Sequence, residues 1–162
     1  MEVIRDFYSF LIFVVFISLS GVMTPGPLLA VTIAKGFEHK IAGVLVSFGH
    51  GMVEFPLMFI IYFGFTQLLA SSIAQKSVGL VGGLVLIYMG FRMVRAEKKT
   101  NKEHEGSKHG PFIAGILATG ANPYFLLWWA TIGADLVTKA SGFGFMGFLI
   151  FAVTHWSCDL IW

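Results

Sequence analysis

Five long apolar runs, at about 7–34, 41–70, 78–94, 111–132 and 143–162, dominate this 162-residue chain and decide what it can become. Crossing the hydrocarbon core of a bilayer takes about 20 apolar helical residues. Each run is continuous rather than alternating, and lipid offers no partner to an unpaired backbone group, so the runs dictate helices. Asp, Glu, Lys and Arg make up 12% of the residues, about half the share in a soluble domain. The expected fold is all-α: a polytopic transmembrane helical bundle of five spans, surrounded by membrane lipid.

The charges sit between the runs. Lys35, Lys40, Arg92, Arg95, Lys98, Lys99, Lys102 and Lys108 fall on one side by alternate loops, against Arg5, Lys76 and Lys139 on the other. Basic loops stay in the cytoplasm, which places the N-terminus outside in a multi-pass plasma-membrane protein. The segment 95–110 reads as a cytoplasmic charged linker between one unit at 1–94 and another at 111–162. A net charge of +2, confined to loops, gives no basic face for a nucleic acid. The single cysteine, Cys158, excludes an intrachain disulfide and a two-cysteine redox pair. The leader before Phe7 lacks the basic excess and small-residue cleavage site of a signal peptide, so the first run is expected to be retained.

Two spans carry breaks. Thr24-Pro25-Gly26-Pro27 interrupts the first, where two prolines remove two amide donors and clash with preceding carbonyls. Thr119-Gly120-Ala121-Asn122-Pro123 interrupts the fourth more gently, with the proline pushing Asn122 out of the helical region. Each broken span is followed by a helix bearing histidine and then a carboxylate four residues on. In the second span Ser47, His50 and Glu54 share one stripe, and in the fifth His155 and Asp159 repeat the spacing. The two units therefore look alike, and three spans per unit make the second run inverted, an architecture recurrent in transporters.

Glu54 and Asp159 are the carboxylates placed well inside predicted spans, where a charge costs at least ~2.5 kcal/mol. A carboxyl group in such surroundings favours its neutral form, and a histidine one turn away can share its proton. The reading is proton coupling through His50 and Glu54, with His155 and Asp159 as a second or substrate-facing site. A half-helix beginning near Pro27 would offer its positive end to a substrate carboxylate. Gly43, Ser47 and Gly51, and again Gly79 and Gly83, form small-residue faces suited to helix packing. Pro56 reads as a kink aiming Glu54, and Tyr8, Trp128, Trp129, Trp156 and Trp162 as interface anchors, the middle two also within reach of a cavity behind Pro123.

Gly21-Val22-Met23-Thr24-Pro25-Gly26-Pro27 resembles the Thr-Pro-Gly-Pro signature of the LysE/RhtB family of amino-acid exporters. Asn122-Pro123 resembles that family's Asn-Pro in the fourth span, and 49–54 its glycine-rich stretch ending in an acidic residue. The resemblance implies proton-driven efflux of amino acids or related small metabolites, often by a homo-oligomer. It also implies six spans, whereas this sequence ends at Trp162 inside the fifth and reads as a C-terminally truncated form. An asparagine commonly follows the second proline in relatives, and Leu28 stands there here.

The leading expectation is a secondary transporter with no cofactor and no catalytic role. Two alternatives stay open: a divalent metal cation exporter, since two His/carboxylate pairs can together ligate a cargo cation, and a non-transporting membrane subunit or fragment. An intramembrane enzyme is disfavoured, because neither a His-Glu-x-x-His zinc signature nor a Gly-x-Ser-x-Gly elbow is present.

Overall fold

The computed structural model describes residues 6–65 and 109–162, together with 73, 76, 77, 80, 84, 87, 88 and 91. The third expected span, the glycines at 79 and 83, and the linker up to 108 therefore lie outside the described residues or nearly so. Among the described residues all regular structure is helical.

Asp6 starts the first helix, α1 (Phe7–Val22), its carboxylate accepting from the Ser9 amide and hydroxyl at 2.7 Å each. The prolines then end α1. Pro25 pushes the chain out of helical geometry, Gly26 is fully extended, and Pro27 opens α2 (Pro27–Gly36) at the position where a missing amide costs nothing. The two helices meet at 77°, so the first span is broken as its sequence demands. The next helix, α3 (Ala42–Ile60), continues past Pro56 and passes into a wider turn at Ile61–Phe65.

The fourth span repeats the device. Pro111 opens α4 (Pro111–Gly120), Asn122 is extended ahead of Pro123, and its side-chain oxygen accepts from the Tyr124 amide at the start of α5 (Pro123–Trp128). The bend is 57°, gentler than the first. Beyond it the chain stays helical through Trp129–Gly133 and α6 (Ala134–Ser141), nine residues further than the apolar run suggests. There Leu136, Val137 and Ala140 bury one face of α6, and Asp135 and Lys139 pair four apart on the exposed face. Gly144, at φ 76°, makes the reversal into α7 (Gly144–Ile161), a conformation only glycine adopts cheaply.

Among the described residues, α3, continued to Gly64, and α7 are each long and apolar enough to cross a membrane, and counting each bent pair as one span brings the number to four. They pack crosswise: α1 lies on α7, and α3 on α4. The second contact is the closer. A Cβ built on Gly49 would stand 2.1 Å from the Phe112 carbonyl oxygen, and one on Gly115 would stand 2.3 Å from that of Val46, so glycines let the two backbones touch. Outward-facing Tyr8, Ile12 and Phe16, four residues apart on α1, are exposed, as a lipid-facing stripe should be.

Candidate functional site

The crosswise packing brings the polar residues of four spans to one point. Glu54, only 1% exposed, comes from α3. Its Oε1 lies 3.1 Å from Nε2 of His50, 3.2 Å from Nε2 of His155 and 3.3 Å from Nε1 of Trp129. Three nitrogens thus surround one carboxylate oxygen. The far nitrogen of each ring is held as well: His50 Nδ1 is 2.9 Å from Thr119 Oγ1, and His155 Nδ1 is 2.6 Å from Ser18 Oγ. With both imidazoles protonated on Nε2, they donate to Glu54 and accept from the two hydroxyls, and every bond in the chain is satisfied.

Aromatic rings from α5 pack both imidazoles in place. Phe125 meets His50 edge-on at 5.5 Å, and Trp128 stacks on His155 at 5.0 Å. Gly21 makes room for that stacking, since a Cβ there would come within 2.9 Å of Trp128 Nε1. Trp128 and Trp129 are buried, so these two do not anchor at the membrane surface. Their place behind Pro123 puts them in the polar centre.

Asp159, on α7, lies beside the cluster. Its Oδ1 is 3.6 Å from His50 Nε2, and its Oδ2 is 4.0 Å from His155 Nε2. The second pair expected from sequence, His155 with Asp159, is therefore not hydrogen-bonded. His155 turns to Glu54 instead, because the packing of α7 on α1 fixes its Nδ1 on Ser18. One cluster replaces two. Among the described residues, Glu54 Oε2 and Asp159 Oδ2 are buried without a hydrogen-bond partner.

The cluster borders a cavity of about 310 Å³. Thr24, Gly26, Ser47 and Asn122 line it together with His50, Glu54, His155 and Asp159. Pro25, Pro27 and Pro123 are not in the lining; they shape the two breaks that are. Those breaks face each other: a Cβ on Gly26 would lie 4.0 Å from Asn122 Nδ2, and Thr24 Oγ1 lies 3.1 Å from the Tyr124 hydroxyl. Ser47 donates to the Asp159 carbonyl at 3.0 Å, tying α3 to α7. Leu28 and Leu29, the second and third residues of α2, also line the cavity, and the first amides of a helix have no partner within it.

Sequence reasoning left Ser18 without a role, and gave Thr119 none beyond its place in the break. A hydroxyl deep in an apolar run seeks a partner on another helix, and both are fully buried here.

No curated protein and no solved structure matches the chain. The family model described as LysE type translocator matches residues 19–162, which takes in the breaks of both spans and all four members of the His/carboxylate cluster. By that match the chain belongs to the LysE type translocator family, and it is a membrane transport protein.

Proposed function

We propose that the chain exports amino acids or related small metabolites through this cavity, as a multi-pass secondary transporter of the plasma membrane driven by the proton gradient. The observation that carries the reading is the pair of buried carboxylate oxygens, Glu54 Oε2 and Asp159 Oδ2, left without partners on a cavity that the start of α2 also reaches. An amino acid has the complementary charges. Its ammonium group suits the two carboxylates, and its carboxylate suits the free amides and positive end of α2 at Leu28 and Leu29.

The mechanism follows from two inverted units, 1–94 and 111–162, joined by the linker 95–110. Each contributes a broken span to the cavity, and rocking of one unit against the other would open it to alternate sides. Contacts between α1 and α7, and between α3 and α4, run from one unit to the other, so relative motion of the units reshapes the cluster itself.

The test is efflux of a panel of labelled amino acids from proteoliposomes under an imposed proton gradient. Wild-type protein should accelerate at least one cargo, an uncoupler should remove the acceleration, and Glu54→Gln should lower the rate at least about tenfold, as loss of a buried charge contact does. Gradient-independent flux, or full flux in Glu54→Gln, would overturn the reading.

A further inference from the structure

His50, Glu54 and Asp159 each offer a ligand atom, and these atoms lie within 4.8 Å of one another. Bonds of about 2.0–2.1 Å around a tetrahedral zinc ion put neighbouring ligand atoms about 3.3–3.4 Å apart. Two separations in the cluster bracket that edge: 3.1 Å from His50 Nε2 to Glu54 Oε1, and 3.6 Å from His50 Nε2 to Asp159 Oδ1. We infer that these three side chains form a binding site for a divalent transition-metal cation of the zinc class.

Three further features favour a ligand here. Glu54 Oε2 and Asp159 Oδ2 are buried and unpartnered among the described residues, so two carboxylates carry coordinating capacity that no protein group uses. Their ionisable neighbours within 4.0 Å are histidines, which are ligands themselves rather than competing cations, and Trp129 Nε1 donates to Glu54 Oε1 at 3.3 Å. The far side of His50 is already supported: with Nδ1–H donating to Thr119 Oγ1, Nε2 presents its lone pair to the metal, and a hydroxyl serves either tautomer.

The donor set decides the class of ion. An imidazole with two carboxylates suits zinc, cobalt or nickel, whereas calcium and magnesium take oxygen ligands throughout. Three protein ligands leave a fourth position open on the cavity, and His155, 3.2 Å from Glu54 Oε1, stands beside it. The site depends on the cluster's geometry and not on the export reading. If that reading also holds, metal and cargo exclude each other, since both use the same two carboxylates.

Binding is measured on the metal-stripped full chain in detergent, by calorimetry with Zn²⁺ and by the d–d absorption of Co²⁺. One equivalent should bind, and a large excess of Mg²⁺ or Ca²⁺ should not displace it. Glu54→Gln and Asp159→Asn, both nearly isosteric, should each weaken binding at least about tenfold, while His39→Gln, at an exposed histidine, leaves it unchanged. Near-ultraviolet circular dichroism reports whether each variant is folded, and either folded one suffices. Absence of binding to wild-type protein, or equal binding in a folded Glu54→Gln or Asp159→Asn variant, would overturn the site. Because no flux is measured, this outcome is separate from that of the transport test.

Discussion

His50 and His155, on different helices, present their Nε2 atoms to the same oxygen of Glu54, at 3.1 and 3.2 Å. The hydroxyls behind them come crosswise, Thr119 of the fourth span to the histidine of the second, and Ser18 of the first to that of the fifth. A single carboxylate oxygen therefore links four spans.

That linkage predicts coupled energetics. Ser18→Ala and Thr119→Val each leave a buried imidazole nitrogen without a partner and should cost about 1 kcal/mol, within the ~0.6–1.7 kcal/mol measured for hydrogen bonds between helices in lipid. Their effects should also fail to add. Unfolding titrations of the two single variants and the double variant measure this, and additivity within about 0.3–0.5 kcal/mol would show that the shared oxygen transmits nothing.

The contact of α3 with α4 makes a second prediction. Gly49→Ala drives a methyl group against the Phe112 carbonyl, where backbone must move, and should destabilise by about 1–3 kcal/mol. Gly36→Ala meets nothing within 4 Å and should be neutral or slightly stabilising. Comparable melting points for the two variants would contradict the close approach.

A third prediction concerns the start of α1. Hydrogen bonds from the Ser9 amide hold the Asp6 carboxyl below its ordinary value, with the Ser9 hydroxyl assisting. A depressed folded value means the cap's contribution is present above the ordinary value of about 3.9 and is lost as pH falls through the lower folded one. The Ser9 amide resonance should shift across that acid range in wild-type protein and stay flat in Asp6→Asn, which caps without titrating. A flat wild-type profile would remove the cap.

Much of the architecture was legible because lipid makes local rules strict. The paired rings of Pro25 and Pro27 break the first span and Asn122-Pro123 bends the fourth, whereas the lone Pro56 leaves α3 unbroken. The stripe of Ser47, His50 and Glu54 followed from helical periodicity, and the His50–Glu54 contact from its four-residue spacing. The same spacing sets His155 and Asp159 4.0 Å apart, without a hydrogen bond. Spacing brings two side chains to one face but does not say which neighbouring helix that face will meet, and Ser18 on α1 captured the imidazole first. Nor did the end of the fourth span show, because Asp135 and Lys139 interrupt the apolar run beside Leu136, Val137 and Ala140, whose burial only the packing reveals.

The chain's own sequence determined that it is helical, membrane-embedded and twice broken, because those properties depend on neighbours a few residues away and on the solvent of the bilayer. Only the tertiary structure decided that Glu54 gathers both histidines, and that Gly49 and Gly115 bring α3 and α4 into backbone contact. The pairings between helices join residues about 60 to 100 apart in the chain, and they are set by which helix surfaces fit together rather than by any pattern within one helix.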